Sequence, residues 1–212
     1  GEGERVLEVG CGWGGFAERA AETGRHVTGL TISPSQKGYA DARLDGRAEM
    51  RLQDYRDSTG TFDNIVSIEM IEAVGERYWP TYFATLKNRL AEGGRAVVQA
   101  ITVEDDYFPI YRKNSDYIRQ YTFPGGMLLS NAVIREQAKN AGLQVRDIFS
   151  FGEDYARTCA TWNQQLDAAK PRLAQLGYDA PFLRNWRYYL EICAAAFSTG
   201  QTNVVQVELA HA

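Results

Sequence analysis

Short apolar runs of strand length alternate with amphipathic stretches of helical length along most of this chain. The strand-like runs are 5–9, 25–30, 47–53, 62–68, 96–101, 143–150 and 202–209. The helical stretches are 14–23, a segment beginning at residue 33, 78–91, 130–140, 153–176 and 181–198. Strands that alternate with helices of this length predict a mostly parallel sheet with helices on both faces.

Ligands of such sheets bind at the carboxyl ends of the strands. The segments that follow the predicted strands therefore form one candidate rim: Gly10–Gly15, Thr31–Ile32, Asp54–Tyr55, Ile68–Glu72 and Gln99–Ile101. The first of these segments carries the strongest local signal, because four of its six residues are glycine.

This glycine turn has two competing interpretations. Gly10, Gly12 and Gly15 fit the G-x-G-x-x-G fingerprint of dinucleotide-binding proteins, which is a weak signal alone. Gly10, Gly12 and Gly14, with Glu8 two residues before the first glycine, fit the turn of proteins that bind S-adenosylmethionine (SAM). SAM brings a cationic group at its amino acid end and has no pyrophosphate. The Glu8 carboxylate therefore attracts SAM, whereas it would repel the pyrophosphate of a dinucleotide. A turn without a ligand is disfavoured, because so many glycines weaken a fold unless a close approach requires them.

The end of the second strand departs from both patterns. An Asp or Glu that binds the ribose hydroxyls is usual about twenty residues after the glycine turn, whereas this chain has Thr31, Ile32 and Ser33 there. Ser33 as N-cap, Pro34 at the first helical position and Gln36 at the third predict a capping box. Gln36 therefore has a structural role as well as a candidate ligand-binding one, and the spacing alone does not separate them.

Composition and charge narrow the class of protein. The length predicts a single domain over 1–212, and the net charge of −4 gives no electrostatic reason to expect a nucleic-acid partner. Three widely spaced cysteines, Cys11, Cys159 and Cys193, predict neither a disulfide frame nor a metal site and fit a reducing cytoplasm. The apolar runs are too short to span a membrane. The chain has no initiator Met, and we expect further residues before Gly1 in the natural protein.

Two aromatic-rich segments depart from the regular alternation of strands and helices. Residues 104–129 carry six aromatic side chains among basic ones and predict a helix and loop inserted over the rim. This insertion is either a lid that contacts an apolar substrate or a lipid surface, or an amphipathic helix that only packs onto the core. Residues 153–200 are predicted to be helical and to cover the substrate, with aromatic side chains that belong to the core or to the wall of an acyl pocket.

Six motifs occur in order along the chain: Val-Leu-Glu-Val-Gly-Cys-Gly-Trp-Gly-Gly (6–15), Gly-Leu-Thr-Ile-Ser-Pro-Ser-Gln (29–36), Leu-Gln-Asp-Tyr-Arg-Asp (52–57), Ser-Ile-Glu-Met-Ile-Glu-Ala-Val-Gly (67–75), Tyr-Thr-Phe-Pro-Gly-Gly (121–126) and Phe-Gly-Glu-Asp-Tyr (151–155). Together they resemble the cyclopropane-fatty-acid synthase family, which includes the mycolic acid cyclopropane synthases. The resemblance implies a Rossmann-like class I SAM methyltransferase fold of the α/β class. Its seven-stranded, mostly parallel sheet has an antiparallel last strand, and helical insertions form a lid. A weaker likeness points to plant-type small-molecule N-methyltransferases.

The resemblance also implies roles for individual residues. It places SAM against Gly10, Gly12, Thr31, Ile32, Gln36, Tyr55 and Ile68. The pattern of the glycine turn adds Glu8 and Gly14 to this set, and the position of Asp54 on the rim adds Asp54. It implies a bicarbonate ion beside the transferred methyl group, held by Glu72, Tyr155 and the backbone of Ile101. Gln99 stands where the family has a bicarbonate-binding His. Neither histidine of the chain, His26 or His211, falls on the rim.

The implied reaction is methyl transfer from SAM to the double bond of an unsaturated phospholipid acyl chain. Aromatic faces such as that of Tyr155 stabilise the resulting carbocation, and Glu72 is the candidate base, although a carboxylate is also favoured at a helix N-terminus. Proton loss from the new methyl group closes a cyclopropane, whereas a prior hydride shift gives a methylene- or methyl-branched chain. Gln99 can hold an anion but cannot act as a base, so the product stays open.

Other functions remain as alternatives. A small-molecule N-methyltransferase needs a polar amine pocket, whereas residues 104–129 and 178–197 are apolar and aromatic. A SAM-binding module without transfer activity and a dinucleotide-dependent dehydrogenase are the other two, and the dehydrogenase is the least favoured. The expected location is cytoplasmic, with a peripheral contact at the inner membrane face and a homodimer both left open.

Overall fold

The strands of the protein follow the predicted apolar runs. In the computed structural model, which describes residues 1–212, the strands are β1 (Arg5–Val9), β2 (His26–Thr31), β3 (Glu49–Leu52), β4 (Phe62–Ile68), β5 (Leu90–Val103), β6 (Leu129–Ser130), β7 (Leu143–Ser150) and β8 (Thr202–His211). Strands β4 and β7 have the predicted bounds. Strand β6 has two residues and carries no strand pattern in the sequence.

The helices are α1 (Gly15–Glu22), α2 (Pro34–Leu44), α3 (Trp79–Arg89), α4 (Phe108–Lys113), α5 (Asn131–Asn140), α6 (Gly152–Ala168), α7 (Lys170–Gln175) and α8 (Ala180–Ser198). Three short 3-10 turns, Tyr55–Asp57, Ile71–Ala73 and Glu76–Tyr78, follow β3 and β4. A π-helical turn spans Ile118–Thr122. None of the helices combines the length and the apolar character that a membrane crossing requires.

The strand order of the sheet is β3-β2-β1-β4-β5-β8-β7, with β6 paired to β5 beside this path. Strand β1 pairs in parallel with both β2 and β4, and β3 and β5 continue the parallel arrangement on either side. Strand β8 is antiparallel to β5, because Gln206 lies beside Gln99 while Gln201 lies beside Glu104. The expected mostly parallel sheet with an antiparallel last strand is therefore confirmed, with β6 as an additional short strand.

The chain divides into two compact units. The first comprises Gly1–Ala100, Ala132–Phe149 and Gln206–Ala212, and the second comprises Ile101–Asn131 and Ser150–Val205. The first unit contains the glycine turn and strands β1 to β4. The second unit contains the inserted aromatic segment and helices α6 to α8.

Small side chains allow the helices of the first unit to pack closely on the sheet beside the glycine turn. Buried residues from β1 to β3, the turn and helices α1 and α2 form one cluster: Val6, Cys11, Ala17, Ala20, Val27, Ala40, Leu44 and Met50. Gly29 in β2 faces this cluster, and a Cβ there would lie 2.7 Å from Met50 and 2.8 Å from Cys11. A side chain at position 29 would therefore displace the glycine turn.

Helices α6 and α8 form the main packing of the second unit. Cys159, Phe197 and Val204 are its buried cluster. The inserted segment packs on α8, since the Tyr117 hydroxyl donates to Asn185 Oδ1 and the Tyr117 ring meets Tyr188 edge-on with ring centroids 4.7 Å apart. Tyr121 nevertheless stays exposed. The segment thus packs down and also leaves aromatic surface uncovered.

Two predicted boundaries are wrong. Strand β5 begins at Leu90 rather than at residue 96, because the chain passes directly from α3 into the sheet with Leu90 opposite Phe62. The predicted helix 153–176 is two helices, α6 and α7, with Ala169 between them. Pro171 has no N–H to donate into the preceding turn, which explains the break.

Candidate SAM-binding site at the carboxyl edge of the sheet

The glycine turn is held against the end of β2 and leaves one side open. Gly10, Gly12 and Gly14 have φ values of 83°, 50° and 81°, a region that side chains disfavour. The N–H groups of Gly10 and Cys11 both donate to the Leu30 carbonyl, at 3.1 and 2.8 Å. A Cβ at Gly12 would meet no atom within 4 Å. The turn therefore presents open space next to its backbone.

Glu8 places a carboxyl group in the interior behind this turn. The side chain is 3% exposed, and its Oε2 atom is buried without a hydrogen-bond partner. Burial raises the pKa of Glu8 to about 8, and a hydrogen bond from the Ala17 N–H only partly opposes this rise. A buried carboxylate oxygen without a donor is costly. The ammonium group at the amino acid end of SAM would supply that donor, so the residues present fit SAM.

Thr31, at the end of β2, organises the residues that follow it. Its hydroxyl donates to Gln36 Oε1 at 2.8 Å and accepts from the Ser33 N–H at 3.1 Å. Ser33 caps α2 by accepting from the Gln36 N–H at 3.3 Å. The predicted capping box is thus half present, because Thr31 takes the Ser33 N–H that a Gln36 side chain would otherwise cap. The Gln36 Nε2 group keeps its donors for a ligand.

Apolar side chains at the carboxyl edge are exposed in a way that favours a flat aromatic ligand. Ile32 is 77% exposed, and Ile68, at the end of β4, is 38% exposed. Trp13 in the glycine turn and Tyr39 on α2 meet edge-on with centroids 5.4 Å apart, and both are more than half exposed. Exposed apolar groups around a turn of this type suit the adenine ring of a nucleoside.

Asp54 and Tyr55, after β3, have partners within the protein. Arg56 approaches both Asp54 oxygens, at 2.9 and 2.6 Å, and holds the pKa of that carboxyl below its usual range. Tyr55 packs edge-on against buried Tyr82 with centroids 5.8 Å apart, and burial raises the pKa of the Tyr55 phenol. Asp54 therefore presents a charge that Arg56 already compensates.

The structure brings Gln99 and Glu69 together. Gln99 Nε2 donates to Glu69 Oε1 at 2.8 Å, and the Glu69 N–H donates to the Gln99 carbonyl at 2.9 Å. Glu69 has a φ of 50°, one of only two positive values at non-glycine residues. Three residues further on, Glu72 lies half-buried in the 3-10 turn Ile71–Ala73. Its charge adds to the rise in the pKa of Tyr82 that burial causes, which places Glu72 close to that phenol.

Tyr155 and Ile101 belong to the second unit and pack around the same cluster there. Both lie against the buried residues Cys159, Phe197 and Val204. The Tyr155 ring meets Phe197 and Trp162 edge-on, with centroids 5.3 and 6.2 Å apart. These contacts form an aromatic wall in the second unit, with Tyr155 half-buried in it.

Some residues of this region escaped the sequence reasoning. Trp13 could have been found, because an aromatic residue between two glycines of a turn has little reason to be there without a contact. Gln206 donates to Gln99 Oε1 at 3.0 Å, and no local signal marks it. The two histidines lie away from this edge as expected: His26 is exposed in β2, and the His211 ring contacts the Leu90 carbonyl at the start of β5.

The sheet order, the open glycine turn and the buried carboxyl behind it define a class I SAM methyltransferase fold. The family model described as mycolic acid cyclopropane synthetase matches residues 1–207. The chain therefore belongs to the cyclopropane synthase family, as the motifs predicted.

Relatives of the chain act on fatty acids, according to their names. It is 39% identical over 211 residues to tuberculostearic acid methyltransferase UfaA1 of Mycobacterium tuberculosis, covering 97% of this chain and 49% of that protein. It is 36% identical over 207 residues to cyclopropane-fatty-acyl-phospholipid synthase of Escherichia coli, covering 97% and 53%. The chain thus spans about half the length of these curated relatives.

Solved structures agree with this assignment. Mycolic acid cyclopropane synthase CmaA1, complexed with SAH and CTAB, superposes with a TM-score of 0.89 and 26% identity, over 98% of this chain and 78% of that one. The cyclopropane synthase MmaA2 from Mycobacterium tuberculosis gives the same TM-score at 25% identity and the same coverage of both chains.

Proposed function

We propose that this chain transfers the methyl group of SAM to the double bond of an unsaturated fatty acyl chain of a phospholipid. The observation that carries the proposal is Glu8, whose buried oxygen without a donor lies behind an open glycine turn. This pair favours a ligand whose amino acid end carries an ammonium group. Membership of the cyclopropane synthase family supplies the class of acceptor.

In this proposal the first unit binds SAM. Glu8 and the backbone of the glycine turn receive the amino acid end, while Thr31 and the Nε2 group of Gln36 serve the ribose. Ile32 and Ile68 contact the adenine ring, which explains why such large apolar side chains are exposed there. When bound, SAM supplies an electrophilic methyl group to the alkene.

Residues of the chain then stabilise the carbocation on the acyl chain and accept the proton that it loses. The Tyr155 ring belongs to an aromatic wall whose faces stabilise positive charge on the acyl chain. Glu72 accepts the proton, directly or through a bicarbonate ion, and assays in carbonate-free buffer separate these two routes. Proton loss from the added methyl carbon closes a cyclopropane ring, with no other bond broken.

A second candidate product is a methylene- or methyl-branched chain without a ring. One observation favours it: the Gln99 amide, at the position of the family's bicarbonate-binding His, is already bonded to Glu69 and Gln206. The relative named a tuberculostearic acid methyltransferase points in the same direction. In this branch a hydride shift moves the cation onto the methylated carbon, and loss of a proton then gives a methylene group or a methyl-branched alkene.

The test is expression of the complete natural protein in cells supplied with oleate, followed by mass spectrometry and proton NMR of the total fatty acids. A gain of one CH₂ with high-field cyclopropane signals supports ring closure. The same gain with vinylidene or branched-methyl signals supports the second candidate. Unchanged lipids from a protein that binds SAM would refute both, and small amines would then be tested as acceptors.

A further inference from the structure

Three polar side chains form a line across neighbouring strands of the first unit. Gln206 on β8 donates through Nε2 to Gln99 Oε1 at 3.0 Å, and Gln99 on β5 donates through Nε2 to Glu69 Oε1 at 2.8 Å. Strand β5 lies between β8 and β4 in the sheet, and Glu69 directly follows β4. The line therefore runs from the far strand β8 to the turn that begins at Ile68.

The direction of these hydrogen bonds is set by chemistry. An ionised carboxylate only accepts, so the Gln99 amide must turn its NH₂ group toward Glu69. The Gln99 oxygen then faces away from Glu69 and needs a donor. Gln206 supplies that donor, and an amide whose two ends are both satisfied is held in one orientation.

Glu69 has a backbone conformation that its surroundings must stabilise. Its φ of 50° is unfavourable for a side chain with a Cβ, and such conformations persist only where the surroundings enforce them. Gln99 contacts Glu69 twice, through the side-chain bond and through its carbonyl, which accepts the Glu69 N–H at 2.9 Å. This strained residue sets the direction of the chain between Ile68 and the 3-10 turn that carries Glu72.

We propose that Gln206 is a positioning residue of the methyl-transfer site, which orients Gln99 so that Gln99 holds Glu69 and the turn leading to Glu72. The role in transfer rests on the proposed function. Gln206 itself touches neither SAM nor the acyl chain in this proposal. It acts through the two side chains between it and the turn.

The test compares a donor with an acceptor at position 206 in the complete natural protein. Gln206→Glu offers only acceptors, so the Gln99 amide cannot satisfy both neighbours. Gln206→Lys keeps a donor. We expect Gln206→Glu to lower kcat about tenfold, in line with one lost bond in a chain that ends on a charge, with the KM for SAM changed less than about twofold. Gln206→Lys should keep kcat within about twofold of the wild type.

A matched control variant tests specificity, and a second readout does not depend on the substrate. Gln144 on β7 donates to the His211 carbonyl at 2.7 Å and has no bond to the line, so Gln144→Glu should keep kcat. Hydrogen exchange of the Glu69 amide should accelerate in Gln206→Glu and not in Gln206→Lys.

Equal kcat and equal Glu69 exchange in the two Gln206 variants would overturn the proposal, as would a loss in Gln144→Glu that matches Gln206→Glu. If the wild type transfers no carbon to lipid, the proposed function fails. The hydrogen exchange of Glu69 then decides by itself whether Gln206 orients the turn.

Discussion

Replacing Glu8 by Gln removes a carboxyl group that the first unit buries behind its glycine turn. The substitution keeps the size of the side chain and an oxygen that can accept the Ala17 N–H. It removes the titration of a carboxyl whose pKa burial raises from 4.5 to about 8. The variant therefore isolates the effect of this charge on stability and on ligand binding.

The sign of the stability effect follows from the raised pKa. Between pH 4.5 and 8 the folded protein keeps a proton on Glu8 that the unfolded chain has lost, so stability is highest below pH 4.5 and falls as the pH rises through this window. Each pH unit costs up to about 1.4 kcal/mol. Between pH 5 and pH 7 the wild type should lose about 2–3 kcal/mol of unfolding free energy from this group, and Glu8→Gln should not.

The assay is urea unfolding of wild type and Glu8→Gln without ligand at pH 5, 6 and 7. Calorimetric titration with S-adenosylhomocysteine at pH 7, in buffers of different ionisation enthalpy, adds the ligand. We expect the wild type to release close to one proton on binding, because the ligand's ammonium group favours the ionised carboxylate. Glu8→Gln should release none. Methylthioadenosine, which lacks the amino acid end, is the matched ligand and should release none from either protein.

Parallel stability curves for the two proteins would refute the reasoning about burial. Equal proton release by both proteins on binding S-adenosylhomocysteine would refute the assignment of Glu8 to the amino acid end of the ligand. These two outcomes are independent, so the raised pKa of Glu8 and its contact with the ligand are tested separately.

Two further substitutions test the turn and the base. Gly12→Ala should weaken SAM binding about tenfold or more, because its methyl group enters the open space beside the glycine turn and its φ of 50° adds about 1–2 kcal/mol of strain. Gly60 has a φ of 82° and equally open surroundings. Gly60→Ala should therefore introduce similar strain and leave SAM binding unchanged. Equal SAM affinities of the wild type and Gly12→Ala in calorimetry would show that SAM does not bind beside the glycine turn. Glu72→Gln should slow transfer to lipid by about 100-fold or more while SAH affinity stays within about twofold. The control Glu76→Gln, in the next 3-10 turn, should transfer the methyl group to lipid at the wild-type rate. Full activity of Glu72→Gln would show that another residue is the base.

Local chemistry made much of the fold predictable. The alternation of apolar runs and amphipathic stretches located most strands to within a few residues, and Ser33 with Pro34 marked the start of α2. The spacing of the glycines and of Glu8 predicted SAM, because these residues lie within one strand and the turn that follows it. A ligand-binding pattern confined to so short a segment is visible in the sequence. Pro171 is also a local signal, and it accounts for the break between α6 and α7 that the helical pattern of 153–176 does not show.

What the tertiary structure alone decided is how distant residues meet. Glu69 and Gln99 are 30 residues apart, and Gln99 and Gln206 are 107 apart. No periodicity links such positions, because their contact depends on the order and direction of strands in the sheet. The raised pKa of Glu8 likewise depends on helices and strands that surround it from elsewhere in the chain. The sequence by itself therefore determined most of the elements and the family, and it predicted the class of cofactor. Only the folded sheet decided which side chains hold one another at its carboxyl edge, because strand pairing brings together residues that the chain keeps apart.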